Sequence, residues 1–286
     1  MNHEEGTLAT DDGLALYWQS WQPPGEPDGV LIFVHGLAEH SGRYLNPARH
    51  FVARGWSCLG FDCRGHGKSP GPRVHVSSFD EFLADVGEAR RLARIRHPET
   101  PLFLVGHSQG GLLALLSVLE NSNHIDGVIV SSPFVGFHPD TRPTTVVAAA
   151  GKVLSKLTPK LMVETKLDLD ALCRDPEVVE AYRSDPLVSQ TVSIGWANAV
   201  TTAQASALDL APTLDIPALV MQAGADRIVD PDATRSWVAA APGNLVDYVE
   251  WGGCFHELFN EPLLDRRRVF DRMEQWLETH SPHPTH

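Results

Sequence analysis

The chain has 286 residues, 43 % of them apolar and 21 % charged, an ordinary globular balance that excludes disordered, collagenous and coiled-coil proteins. Its 23 basic and 36 acidic residues give a formal charge of −13, and a surface so negative repels a phosphate backbone, which excludes nucleic acid as a partner. The length suits one large domain or one domain carrying an insertion.

The N-terminal Met1-Asn-His-Glu-Glu5 is polar and acidic and lacks the pattern of an export signal. Val30 to Val34 is a continuous apolar run with β-branched and aromatic residues, as expected of a strand buried on both faces. It leads into His35-Gly-Leu37, a loop at a strand end. Cys58 and Cys63 stand roughly 16 Å apart if extended at about 3.3 Å per residue, too far for a disulfide. With Cys173 and Cys254 they form no C-x-x-C pair, so all four read as reduced thiols in a cytoplasmic protein. Gly67-Lys-Ser69 is no phosphate loop, because Asp62 occupies the position of the first glycine, and Gly65-His-Gly67 has Pro70 where a dinucleotide fingerprint needs its third. No cofactor is implied.

Phe79 to Arg96 carries Phe79, Phe82, Leu83, Val86, Ala89, Leu92 and Ala93 at helical spacing. Leu102 to Val105 reads as a second buried strand and runs into Gly106-His-Ser-Gln-Gly110, followed by a nearly all-apolar helix over Leu112 to Leu119. Between a strand and a helix, G-x-S-x-G makes a turn so tight that only glycines fit beside the serine, whose hydroxyl is raised above the sheet edge. Ser108 is therefore the candidate nucleophile. Gly127 to Val130 is a third strand of the same kind. The alternation predicts an α/β fold, a mostly parallel central sheet with helices on both faces and reactive loops at the strands' carboxyl ends.

From about Phe134 to Val200 the rhythm breaks, with no convincing strand, and predicts a helical cap at 134–200 inserted in a core domain of 1–133 and 201–286. Within it, Thr144 to Thr158 projects Val146, Ala150, Val153, Leu154 and Leu157 onto one arc, with Lys152 and Lys156 beside it and Pro159 as the stop. Lys152, Lys156, Lys160 and Lys166 are four of the chain's five lysines, and residues 141–163 contain no acidic side chain. In so acidic a protein, this positive cluster suits a lid that touches anionic lipid surfaces while its apolar face covers a channel, or a packed helix with solvated lysines.

Strands resume at Pro217 to Gln222 and Leu245 to Trp251, and Val269, Phe270, Met273, Trp276 and Leu277 mark a last amphipathic helix before a loose tail over 281–286. A serine nucleophile needs an imidazole base, and that base needs a carboxylate to fix its tautomer. His256 follows one of these strands and Asp226 the other, in the chain order serine, acid, histidine. Asp226 is favoured over Asp230, which stands where it would cap the next helix, and over Asp232. His35 and His107 read as residues that orient loops. His256-Glu-Leu-Phe-Asn260 places asparagine where a metal motif needs its second histidine, so no metal is assigned. The oxyanion of a tetrahedral intermediate would be held by the amides of Gln109 and Leu37.

His35-Gly-Leu-Ala-Glu-His-Ser-Gly-Arg-Tyr44, Asp62-Cys-Arg-Gly-His-Gly-Lys-Ser-Pro-Gly-Pro-Arg73, Gly106-His-Ser-Gln-Gly-Gly111, Asp185-Pro-Leu-Val188, Gly224-Ala-Asp226 and His256-Glu-Leu258 span nearly the whole chain. Together they resemble the monoacylglycerol lipase and lysophospholipase branch of the α/β-hydrolase superfamily, often labelled serine aminopeptidase S33. The resemblance implies a serine hydrolase with the same triad and oxyanion amides, cleaving monoacylglycerols or lysophospholipids without a cofactor. It also implies that Glu39 and Arg43 lie near the polar end of the site, as substrate-binding residues or as a loop-fixing ion pair. Gln109 departs from the branch, which commonly has methionine there, and puts a polar side chain beside the nucleophile with a bearing on acyl preference. Cys254, two residues before the base, reads as a small buried side chain.

Two other classes compete. A small-ester esterase or S33-type aminopeptidase keeps the serine chemistry, but an aminopeptidase needs acidic residues to hold a free amine, and 141–163 offers lysines. A hydrolase-shaped binding protein without catalysis usually lacks a triad member, and none is missing.

Overall fold

The computed structural model describes residues 1–165 and 167–281. Lys166 and the tail beyond Ser281, both used in the sequence reading, lie outside the described residues. Among the described residues ten strands form, β1 Asn2–Ala9, β2 Ala15–Gln22, β3 Gly29–Val34, β4 Trp56–Phe61, β5 Leu102–His107, β6 Gly127–Ser131, β7 Met162–Glu164, β8 Thr191–Ser193, β9 Ala218–Ala223 and β10 Val246–Trp251. The principal helices are α1 Leu45–Val52, α2 Asp80–Arg96, α3 Gln109–Glu120, α4 Thr145–Leu157, α5 Pro176–Ser184, α6 Ile194–Leu210, α7 Pro231–Ala240 and α8 Leu263–His280.

Eight strands make one sheet in the order β1-β2-β4-β3-β5-β6-β9-β10. Pairing is parallel from β4 to β10, and only β1 and β2 run antiparallel to their neighbours. Every residue of β3, β4, β5, β6 and β9 is buried, which is why these strands need apolar side chains on both faces. One face is covered by α1 and α8, through Phe51, Phe270, Met273 and Trp276, and the other by α2, α3, α6 and α7, through Phe82, Leu113, Trp196 and Trp237. The chain passes from β3 to β4 on one side and then crosses to β5 on the other. The crevice beyond the ends of β3 and β5 is therefore the topological switch point, where open α/β sheets bind ligands.

The expected strands and helices all form, with Asp80–Arg96 and Gln109–Glu120 as the observed bounds of α2 and α3. The 134–200 segment differs from expectation in two respects. It contains a short antiparallel pair, Met162–Glu164 with Thr191–Ser193, where no strand was expected. Its last helix, α6, also runs unbroken through position 200, where the sequence suggests a return to the core. All four cysteines are buried free thiols. No helix among the described residues is long and apolar enough to cross a membrane.

Candidate active site

The elbow after β5 is built by steric exclusion. A Cβ on Gly106 would lie 2.2 Å from the Gly110 carbonyl oxygen, and one on Gly110 would lie 2.0 Å from that of Val34. Ser108 itself takes φ 53° and ψ −119°, a left-handed conformation uncommon for a residue with a side chain, which the surrounding backbone enforces. Its N–H donates to Ser131 O at 3.0 Å, and its own carbonyl accepts from Phe134 N at 2.9 Å and Leu112 N at 3.1 Å. The serine is locked between β6 and the first turn of α3.

His256 donates from Nδ1 to Asp226 Oδ2 at 2.8 Å. Asp226 is itself held, since Oδ1 accepts from Ile228 N at 2.8 Å and Val229 N at 3.0 Å. The competing carboxylates are engaged elsewhere. Asp230 caps α7 by accepting from Asp232 N, and Asp232 pairs with Arg235. With Nδ1 committed to Asp226, His256 presents Nε2 to the cavity as an acceptor. Burial disfavours the imidazolium, but Asp226, with help from Glu257 and Glu39, outweighs it and raises the pKa above 6.5. Burial likewise opposes ionisation of Asp226, yet His256 and the two backbone donors leave its pKa lowered.

Ser108 and His256 line one cavity of about 240 Å³ at the switch point. Among the described residues, the Ser108 hydroxyl makes no hydrogen bond. Unliganded sites commonly hold this contact long, and it tightens when substrate orders the serine. A Cβ on Gly36 would come 3.4 Å from Ser108 Cβ, so the loop after β3 lies directly against Ser108. Among the described residues, neither Leu37 N–H, on that loop, nor Gln109 N–H, in the first turn of α3, has an acceptor.

His35 and His107 orient loops, as the sequence suggests. His35 sits between Gly36 O at 2.8 Å and Cys63 N at 3.0 Å. His107 contacts Ser131 O at 3.1 Å, and burial together with the neighbouring His256 pushes its pKa down to about 4.

Glu39 and Arg43 belong to a buried ionic cluster. Glu39 Oε1 accepts from Gly36 N at 2.6 Å and Tyr44 Oη at 2.9 Å, while its other oxygen pairs with Arg43. Arg43 also grips Glu257 with two parallel bonds of 2.7 and 2.8 Å. Burial opposes the charge on Glu39, but Arg43, His107 and His35 hold its pKa at about 2. Every oxygen of Glu39 is thus committed to shaping the loop that carries Leu37, and Arg43 ties that loop to the residue after His256. The geometry favours the loop-fixing alternative for this pair. Glu257 was present in the sequence motif without a role. Its partner lies 214 residues away, and nothing local announces the pair.

The 134–200 segment contributes much of the cavity wall, with Phe134, Phe137, Leu172, Tyr182, Val192 and Trp196 around Ser108. Its backbone also touches the site loops, through Glu257 N to Leu172 O at 2.7 Å and Ser189 N to Ala38 O at 2.9 Å. Helix α4 corrects one expectation. Its apolar face is not turned to the channel. Val146 is 77 % exposed and Leu157 73 %, and among the described side chains no α4 residue lines the cavity.

A mostly parallel sheet with a strained serine at its switch point and an imidazole and carboxylate on the neighbouring strand-end loops is the architecture of the α/β-hydrolases. Within that class, residues 25–263 match the family described as serine aminopeptidase, S33, and the chain belongs to it. It is 35 % identical over 277 residues to a monoacylglycerol lipase of Mycolicibacterium smegmatis, covering 96 % of this chain and 97 % of the relative. A Bacillus subtilis protein named phospholipase YtpA is 33 % identical over 246 residues, 85 % of this chain and 93 % of the relative. The crystal structure of a monoacylglycerol lipase from Paleococcus ferrophilus superposes with a TM-score of 0.83 at 31 % identity, covering 93 % of this chain and 99 % of that one.

Proposed function

We propose that the protein hydrolyses carboxylic esters of single-acyl lipids, with monoacylglycerols as the first substrate class. The observation that carries this reading is His256, bonded to Asp226 and facing the same cavity as Ser108 under an aromatic and aliphatic wall. The relatives named monoacylglycerol lipase support it. Ser108 Oγ attacks the ester carbonyl as His256 Nε2 takes its proton. The amides of Leu37 and Gln109 receive the oxyanion, and the alcohol leaves with the proton from His256. Water, deprotonated by the same imidazole, then releases the fatty acid from the acyl-enzyme.

Lysophospholipids are the neighbouring substrate class, supported by the relative named phospholipase. The cavity mouth favours an uncharged head group over an anionic one. Among the described lining residues, Glu164 and Asp168 stand with Arg227, which pairs with Asp168 at 3.4 Å, one cation against two carboxylates. Turnover of a monoacylglycerol is expected to exceed that of an amino-acid anilide by at least about a hundredfold, the usual reach of pocket discrimination. Preferential cleavage of the anilide would replace the lipase reading with a peptidase one.

We also read residues 134–200 as a cap that meets a lipid surface through α4. Val146, Val147, Val153, Leu157 and Leu161 are all at least half exposed, and Lys152, Lys156 and Lys160 stand exposed among them. A patch of apolar side chains ringed by lysines matches an anionic bilayer surface. Replacing the three lysines by glutamine is expected to weaken co-sedimentation with phosphatidylserine vesicles roughly a hundredfold, at about 1 kcal/mol per basic residue. Unchanged binding by the triple variant would leave α4 as a solvent-facing helix.

A further inference from the structure

Gln109, the residue after the proposed nucleophile, is fully buried, and its side chain leaves the elbow to meet the cap. Its Oε1 accepts from Trp196 Nε1 at 2.6 Å, while its Nε2 is buried without a partner. Leaving a buried amide half-satisfied is costly, so the bond it does make carries weight. Trp196 lines the cavity and stacks on Phe134 with an angle of 18° between rings, and Phe134 packs edge-on against Phe137. The backbone of Trp196 is fixed independently, because Ser193 Oγ caps α6 by accepting from Trp196 N at 3.0 Å and is itself bonded to His75. What remains free is the indole's rotation, and the Gln109 carbonyl stops it. One residue thereby sets the aromatic wall with its side chain and offers its amide to the oxyanion.

We propose that Gln109 is a positioning residue that couples the aromatic wall of the acyl cavity to the oxyanion donor, so that chains long enough to press on Trp196 are turned over in register with the nucleophile. This inference rests on the serine-esterase reading. A methionine at 109 would keep the backbone amide and fill similar space, but its thioether is too weak an acceptor to hold the indole. Short acyl groups press less on Trp196 and sense the bond chiefly through the oxyanion amide.

The test measures kcat and KM for p-nitrophenyl butyrate and p-nitrophenyl laurate in the wild type, Gln109→Met, Trp196→Phe and the double variant. Each single variant is expected to lose about fivefold in kcat for laurate, the worth of one neutral hydrogen bond, with KM nearly unchanged. Butyrate kcat should fall less than laurate kcat in each, so that the laurate-to-butyrate ratio drops, and the double variant should be no worse than either single, because both remove the same contact. A laurate-to-butyrate ratio unchanged in Gln109→Met, or losses that multiply in the double variant, overturns the coupling. Should Gln109→Met fail to fold by near-ultraviolet circular dichroism, Trp196→Phe decides alone, and a wild-type ratio in it overturns the proposal. A wild-type protein inactive on both esters would instead remove the esterase reading itself.

Discussion

Ser108→Ala is expected to lower kcat toward a monoacylglycerol by on the order of 10⁶-fold, the loss that follows removal of a serine nucleophile acting as one unit with its base. The fold should be untouched. Among the described residues the Ser108 hydroxyl has no hydrogen-bond partner to orphan, and alanine meets the same backbone cost at φ 53° as serine does. Every contact that shapes the elbow is made by backbone atoms, Ser108 N to Ser131 O and Ser108 O to Phe134 N, and these survive truncation at Cβ. Unfolding free energy is therefore expected to change by less than about 0.5 kcal/mol. A fluorophosphonate should label the wild type and not the variant. Labelling that persisted in Ser108→Ala, or activity within tenfold of the wild type, would move the nucleophile elsewhere.

What could be read in the sequence follows from how local each signal is. β3, β5, β6 and β9 announce themselves because a strand buried on both faces has to be apolar throughout. β1 is not legible in the sequence because it is the edge strand of the sheet, largely exposed, and Asn2-His-Glu-Glu5 carries no buried face to betray a period of two. β4, Trp56-Ser-Cys-Leu-Gly-Phe61, is fully buried but interrupts its apolar run with Ser57 and Gly60. The latter faces Ser41, where a Cβ would lie 3.0 Å away. The elbow glycines, Asp226 and His256 sit in strand-end loops whose chemistry is local, so their types and order suffice to single them out. The bond from Gln109 to Trp196 spans 87 residues, and the pairing of Arg43 with Glu257 spans 214. Such partners are chosen by the folded sheet and cap, and no window of sequence contains both members. The outward turn of α4 has the same origin. Periodicity shows that an apolar arc exists but not which way the helix is rolled.

Asp226→Asn is expected to cost on the order of 10⁴ in kcat through the tautomer of His256, beyond the loss of the 3.3 Å bond that Gln222 Nε2 donates to Asp226 Oδ2. Asp226 Oδ1 is bound to two backbone donors, so the oxygen of an asparagine side chain remains on Ile228 N and Val229 N. Its amide nitrogen then faces His256 Nδ1, where Asp226 Oδ2 now accepts. A donor in that place forces the ring proton onto Nε2, and the nitrogen that should accept from Ser108 is blocked. The pH dependence moves as well. In the wild type the imidazole must be neutral to act as base, and burial is outweighed by Asp226, so kcat/KM falls as pH drops through a pKa above 6.5. Without that carboxylate, burial dominates and His256 holds its proton less tightly, so the residual activity should persist to lower pH. His107, held at about 4, stays neutral through this range and adds no limb of its own. Profiles of kcat/KM between about pH 5 and 9 for both proteins report the shift. Activity within tenfold of the wild type, or an acid limb that does not move, would take the orienting role from Asp226.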